Sequence, residues 1–439
     1  MSESVPEPKQ PPRVLAPRYS PAPRTGTFQA HFPDGKTLDL TPGRARLYPG
    51  LRGAAPSMLA FYDAFADFLR VGRVLDAGSG AGVGAARLAQ RGLGVVAADE
   101  DLTAVEFASR HTPALEHLHV SLRDLDVASP VDGAIAADVL GLCDDPEPAL
   151  CGINRSLKLG APLLVAEAAA HVSQRLSVPQ RRGFSVPRLR ALLVRSGFEV
   201  EAVLAEQVPF VALLARAAFP AVRDAFTNAY AAANSGDLAR GLRELDGARG
   251  TARFQVELEL LLAEAELLLA LGDGDRAANA FFRARELDGK DARALVGVGR
   301  IALASGSYPD ALELALDALR CDPTETTGYV LVALAGAALG SDPFTAWRAA
   351  ARLAPDDAFI VGELTRAAVA RGEHPVALSS LEQLERYGVS LDAALHVTRA
   401  WLLLAAGRRG DAGVEARIAK TKEPNHPELA ELEHAISNP

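Results

Sequence analysis

The apolar run Val71-Gly-Arg-Val74-Leu75 passes directly into Asp76-Ala-Gly78-Ser79-Gly80-Ala-Gly82, and this junction limits the possible folds more than any other stretch of the chain. A short buried strand that ends in an acid, followed by a loop almost without side chains, lets backbone come close to a ligand. Three alternating glycines tolerate the positive φ of a sharp strand-to-helix turn, and the free N–H groups opening the helix expected over Val83 to Gln90 face that ligand. Asp76 adds charge: it favours a nucleotide-like ligand with a positive group and repels a bare pyrophosphate. A second apolar run, Leu93 to Ala98, ends at Asp99-Glu100, which in a doubly wound sheet sets a carboxylate where vicinal ribose hydroxyls lie.

With these residues in place the chain resembles class I S-adenosylmethionine-dependent methyltransferases of the broad small-molecule type, and the resemblance continues in order. His119-Val120-Ser-Leu-Arg-Asp124-Leu125 resembles the third strand and its acidic end, and Val131-Asp132-Gly-Ala-Ile135-Ala-Ala-Asp138-Val139-Leu140 the fourth strand. Asn154 to Glu167 resembles the helix, turn and fifth strand that follow. Phe184-Ser185 and Arg195-Ser-Gly197-Phe198-Glu199 match the family's late helix, with Phe210 to Leu214 as the last strand. The resemblance implies an α/β Rossmann-like fold with a mostly parallel seven-stranded sheet over residues 71–216, and S-adenosylmethionine as cofactor. By it, the backbone of Gly78, Ser79, Gly80 and Gly82 approaches the methionine portion and Asp76 serves its ammonium end. Asp99, with Glu100 beside it, holds the ribose; Asp124 or the Leu125 N–H meets adenine; Asp138 lines the pocket on the cofactor side.

A dinucleotide fold is the nearest enzyme rival, because Gly80-Ala-Gly82-Val-Gly84-Ala85 also satisfies G-x-G-x-x-A. There Asp76 would face the pyrophosphate with the wrong sign. The family's Asn-Pro-Pro-Tyr signature for planar amino groups is absent, since the slot reads Ala137-Asp138-Val139-Leu140, which argues against adenine or glutamine as acceptor. His171, in the loop after Glu167, is the candidate general base. Upstream, residues 25–70 are expected to form a hairpin, Thr27–Phe32 with Thr37–Leu40 about Asp34-Gly35, and a cap helix, Ser57–Arg70. That helix has Ser57 as N-cap and Phe61, Ala64, Phe65 and Phe68 on one face, which with Tyr48, Arg52 and Tyr62 would roof the acceptor pocket.

A chain of 439 residues exceeds one ordinary core. Its formal net charge of −9 gives no general attraction to nucleic acid or anionic membrane, so neither is an expected partner. Three cysteines without paired spacing point away from a disulfide scaffold or structural zinc. Residues 1–24, rich in proline and lacking an apolar core, read as a disordered tail without a secretory signal. The most apolar later stretch, Leu258–Leu271, is broken by three glutamates, so a cytoplasmic protein is expected.

From residue 217 onward a different pattern holds. Gly236, Gly272, Gly306, Gly340, Gly372 and Gly407 recur in steps of 36, 34, 34, 32 and 35 residues, close to the period of about 34 of tetratricopeptide repeats, which the intervening small and large residues also resemble. In the best copies Ala277, Ala284, Ala311 and Ala318 let helices approach closely, Phe281 and Ala315 face the groove between repeats, and Pro323, Pro355 and Pro424 end second helices. The unit after Gly340, with Pro343 and Trp347, has a compressed second helix. An all-α solenoid over 217–439 is expected to hold a protein or peptide in its groove, with Arg283, Arg285, Arg293 and Arg300 suited to an acidic one and His374, His396, His426 and His434 as surface or packing residues. Two function classes follow: a methyltransferase acting on an unidentified small-molecule or protein-bound acceptor recruited by the repeats, or a non-catalytic scaffold or cofactor sensor in which the repeats carry the function. The Leu159-Gly160-Ala161 turn, where the family has Pro-Gly-Gly, leaves room for the second.

Overall fold

The computed structural model describes residues 28–31, 37–40, 55–143, 145–169, 183–205, 210–251 and 253–438. The proline-rich start, the turn between the hairpin strands, Tyr48, Arg52 and His171 lie outside the described residues. The hairpin strands β1 (Phe28–His31) and β2 (Thr37–Leu40) pair antiparallel, as the Asp-Gly signal predicts.

Helix α1 (Ala55–Leu69) precedes a run of alternating strands and helices: β3 (Arg73–Ala77), α2 (Val83–Gln90), β4 (Gly94–Asp99), α3 (Leu102–His111), β5 (Glu116–His119), β6 (Gly133–Ala137), α4 (Pro146–Ser156), β7 (Pro162–Ala168), α5 (Val186–Arg195), β8 (Phe198–Ala205) and β9 (Phe210–Ala217). The seven strands order β5-β4-β3-β6-β7-β9-β8, parallel except that β9 runs against both neighbours. Alternate residues feed two cores, because strand side chains alternate faces. Val74, Val95, Ala97, Ile135 and Leu164 meet Tyr62, Phe65 and Ala66 of α1 and Leu88 of α2. Leu75, Val96, Ala134, Leu163 and Leu213 meet Leu150 and Ile153 of α4 and Leu189, Leu192 and Leu193 of α5. Covered on both sides, the central strands read as continuous apolar runs.

Three expectations are corrected. Helix α1 starts at Ala55, before Ser57, so that serine is not its cap. Its buried residues are Tyr62, Phe65 and Ala66, at i, i+3 and i+4, with Phe61 and Leu69 partly buried against the same core; Ala64 and Phe68 face solvent, the latter 49% exposed. Phe198-Glu199 opens β8 instead of ending the late helix, which stops at Arg195 because Gly197 takes φ 86°.

From Pro220 on, the described residues form six antiparallel helix pairs and a last single helix. They are α6 (Pro220–Asn234) with α7 (Leu238–Leu245), α8 (Phe254–Leu271) with α9 (Gly274–Leu287), α10 (Ala292–Ala304) with α11 (Tyr308–Cys321), α12 (Thr326–Ala338) with α13 (Phe344–Leu353), α14 (Ala358–Ala370) with α15 (His374–Arg386), α16 (Ala393–Ala405) with α17 (Arg409–Lys422), then α18 (Leu429–Ser437). The six periodic glycines sit between the helices of each pair at φ 74° to 89°, the left-handed turn that only glycine adopts without cost. Phe281 is fully buried between units: a Cβ on Gly297 would stand 2.1 Å from its ring, so glycine on one helix makes room for phenylalanine on the other. Arg293 and Arg300 are committed to Glu259 and Asp291 and to Glu266, which removes two cations from the face expected to receive an acidic peptide. His396 is buried against Glu415, a packing role as expected.

The repeats are built onto the sheet half without an intervening linker. Val194 of α5 shares a core with Val222, Phe226 and Val256. Arg195 donates to Glu147 Oε2 at 3.0 Å and to Glu259 Oε2 at 3.1 Å, and Arg293 donates to Glu259 at 2.7 and 2.8 Å and to Asp291. Burial pushes the Glu147 carboxyl up while Arg195 opposes it. Burial pulls the Arg293 guanidinium down, and Glu259 and Asp291 more than reverse that.

Arg195→Met is expected to leave Glu147 and Glu259 without their shared cation and to cost about 3–5 kcal/mol in urea unfolding; a loss under about 1 kcal/mol would show that the chain of charges is dispensable. A second expectation concerns Glu325, which caps α12 by accepting the Thr327 N–H. Burial raises its carboxyl pKa above the ordinary 4.5, the Thr327 bond opposing and Asp322 adding. The folded state therefore holds this proton more tightly than the unfolded one, so the cost of ionising it is absent below the ordinary value and grows as pH rises through the raised one. Glu325→Gln should match or exceed the parent in thermal midpoint near pH 7 and lose that advantage near pH 4; an advantage growing toward acid would contradict the sign.

Candidate functional site

Strand order reverses direction between β3 and β6, and in open α/β sheets the crevice at that switch point, beyond the carboxyl ends of the strands, is where ligands bind. The glycine loop sits there and is tied down by backbone: Gly78 and Ser79 both donate to Ala98 O, at 2.8 and 3.0 Å, and Gly82 donates to Ser79 O. Gly78, Gly80 and Gly82 take φ 77°, 54° and 81°, so each needs glycine's freedom. Gly82 has a packing reason as well, since a Cβ there would stand 3.0 Å from Ala108 of α3.

Asp99 is the last residue of β4 and fully buried. Its Oδ2 accepts the Gly80 N–H at 2.7 Å and its Oδ1 the Asp101 N–H at 2.9 Å, so one carboxylate fixes both the glycine loop and the entry to α3. Asp101 in turn caps α3 by accepting from Thr103 and Ala104. Asp76, also fully buried, lies inside β3 and accepts a hydrogen bond at 2.9 Å from the Tyr62 hydroxyl. Tyr62 reaches it by lying across the start of α2, where a Cβ on Gly84 would be 2.3 Å from its ring. Tyr62, expected near the acceptor, thus stands on the Asp76 carboxylate.

Glu100 is half-buried at the end of β4. Asp124 closes a 3-10 turn after β5 and is exposed, whereas Leu125 is buried; Val120, where that segment starts, donates its N–H to Asp99 O at 2.9 Å. Across the switch point, Asp138 follows β6 with φ 61°, a left-handed conformation unusual for a residue with a Cβ, and its N–H donates to Ala166 O. The structure therefore brings together Asp76, the glycine loop, Asp99, Glu100 and Asp138 at one end of the sheet. His171 lies outside the described residues.

Two features escaped sequence reading. Glu167, buried near the end of β7, accepts from the N–H groups of Val139, Leu140 and Gly141 at 2.9, 2.7 and 3.3 Å. The signal was present, in that a lone acid within Leu163-Leu-Val-Ala-Glu167-Ala168 must find donors to be buried. The second is Ser185, which caps α5 and donates to Asp322 of the repeats at 2.8 Å. One residue earlier, Phe184 donates its N–H to Ala168 O, so a repeat turn is joined to the edge of the crevice. No local pattern marks a contact between residues so far apart in the chain.

Residues 75–165 match the family model of the methyltransferase domain, and residues 262–326 that of the tetratricopeptide repeat. No curated protein sequence matches the chain significantly. Among solved structures it is similar to the magnesium protoporphyrin IX methyltransferase of Synechocystis, at 19% identity over 36% of this chain and 76% of that one, with a TM-score of 0.30. It is similar also to a TehB-like methyltransferase of Corynebacterium glutamicum, at 22% identity over 36% of this chain and 86% of that one, with a TM-score of 0.31. Pseudomonas aeruginosa pilF is 15% identical over 48% of this chain and 95% of that one, with a TM-score of 0.41. On the two family matches, together with the strand order and the six helix pairs, this chain joins a methyltransferase domain to an array of tetratricopeptide repeats.

Proposed function

We infer that the crevice binds S-adenosylmethionine and that the chain transfers its methyl group to an acceptor brought by, or carried on, a protein held in the repeats. The observation that carries this reading is the pair of fully buried carboxylates, Asp76 and Asp99, at the ends of neighbouring strands on either side of a positive-φ glycine loop, within the stretch that matches the methyltransferase family. This acceptor set suits a ligand that donates from an ammonium group and a vicinal diol, and it opposes a pyrophosphate.

In this reading Asp76 meets the ammonium end and Gly78, Ser79, Gly80 and Gly82 lie along the methionine portion. Asp99 and Glu100 hold the ribose, Asp124 or the Leu125 N–H meets adenine, and Asp138 lines the pocket. When bound, the cofactor supplies a methyl group activated by a sulfonium. The chain's share is alignment and exclusion of water, because charge is dispersed as the methyl group moves. His171 is the proposed general base. Among the described residues no helix is long and apolar enough to cross a membrane.

Calorimetric titration with S-adenosylhomocysteine is expected to show binding by the parent and at least a roughly tenfold loss in Asp99→Ala and in Gly80→Arg, since each removes a charge-assisted or backbone contact. Tight binding of NAD alone would overturn the reading. Incubation of a lysate with labelled S-adenosylmethionine then separates an enzyme from a sensor: labelling that falls in His171→Ala supports transfer with this base, and cofactor binding without any labelled product supports the sensor.

A further inference from the structure

We propose that Glu167 is a positioning residue for the crevice, holding the turn Asp138–Gly141 in the one shape that presents Asp138 to the ligand. The proposal rests on the methyltransferase reading above. Its ground is the geometry on the far side of the switch point. Three successive backbone N–H groups, of Val139, Leu140 and Gly141, converge on one carboxylate that is 1% exposed. Successive amides pointing the same way at a helical turn form an anion site, and here an internal acid fills it.

That site lies directly after the residue with the unusual backbone. Asp138 takes φ 61°, while its N–H is held by Ala166 O at 2.8 Å, one residue before Glu167 on β7. The chain on one side of Asp138 is thus pinned by β7 backbone, and the chain on the other side by the β7 carboxylate. Strain of this kind persists only where the surroundings over-determine it. An acid with no such task would be costly at this position, since the other strand residues around it, Val165, Ala166 and Ala168, are apolar and buried. A glutamate is also the right length and charge: both oxygens accept, and each bond from a backbone N–H to a carboxylate is stronger than one to a neutral oxygen. Glutamine in its place keeps the acceptor for Val139 and Leu140 but turns an NH2 group toward the Gly141 N–H.

The test uses the full chain as Glu167→Ala, Glu167→Gln, Asp138→Ala and the double variant Glu167→Ala/Asp138→Ala. Two readouts are taken: S-adenosylhomocysteine affinity by calorimetry, and hydrogen exchange of the amides of residues 139–141 against those of β3 and β4. Glu167→Ala is expected to weaken binding about tenfold, with Glu167→Gln between it and the parent. The double variant should bind no more weakly than the poorer single one, because a residue acting through another has nothing left to act on. Exchange at 139–141 should rise by about tenfold or more in Glu167→Ala while β3 and β4 stay protected. Parent-like binding in Glu167→Ala, losses that multiply in the double variant, or unchanged exchange at 139–141 would each overturn the proposal. A parent chain that does not bind S-adenosylhomocysteine would remove the methyltransferase reading instead, and the exchange result would then decide by itself whether Glu167 holds the turn.

Discussion

Asp99 accepting the Gly80 N–H is the contact on which the crevice depends. The glycine loop has almost no side chains with which to hold itself, and its turns at positive φ are ones that an unconstrained chain would leave. The end of the next strand fixes that loop twice over: the buried Asp99 carboxylate accepts from Gly80, and Ala98 O beside it accepts from Gly78 and Ser79. The same carboxylate receives the Asp101 N–H, which aligns α3. Because the acid is buried and its bonds are charge-assisted, the arrangement is worth more than the same contacts in water. A ligand therefore meets a loop already shaped, and less ordering has to occur on binding.

The opposite wall follows the same logic with different parts. Glu167 closes the turn after β6 as Asp99 closes the turn after β3, each an acid at the end of one strand accepting backbone N–H groups from the loop after the strand beside it. In the parallel part of the sheet, strand ends that point one way gather such acids in one plane. Asp76 differs, for its partner is the Tyr62 hydroxyl from a helix that packs over the sheet. The crevice is thus framed by carboxylates that accept hydrogen bonds from the protein's own backbone and tyrosine donors.

The repeats belong to this frame through α5. Its start is bonded to Asp322 by Ser185, and its end is clamped by Glu147 and Glu259 through Arg195. Val194 between them is buried in the first repeat's core. The helix is thus bonded to the solenoid at both ends, and Phe184, just before it, donates its N–H to Ala168 O of the strand that carries Glu167.

The order of elements, the glycine turns and the acids of the crevice were legible in the residues, because local signals set them: a strand reads as an apolar run, positive φ selects glycine, and a fixed period exposes a repeat. Asp76, Gly78, Gly80, Gly82 and Asp99 stand at the sheet end where their spacing put them, and Asp138 stands there as the family resemblance implies. The face of α1 is only partly legible: Phe61 and Phe65 pack on the core as expected, but Phe68 and Leu69 are both apolar and only the sheet beneath decides which of them packs. The roles of Tyr62, Glu167, Ser185 and Arg195 were not legible, because each depends on a partner distant in sequence. By itself, then, the chain of residues determined the two architectures and where the acids stand. Only the tertiary structure decided what those acids hold, since buried charge takes its meaning from the donor that packing brings within reach.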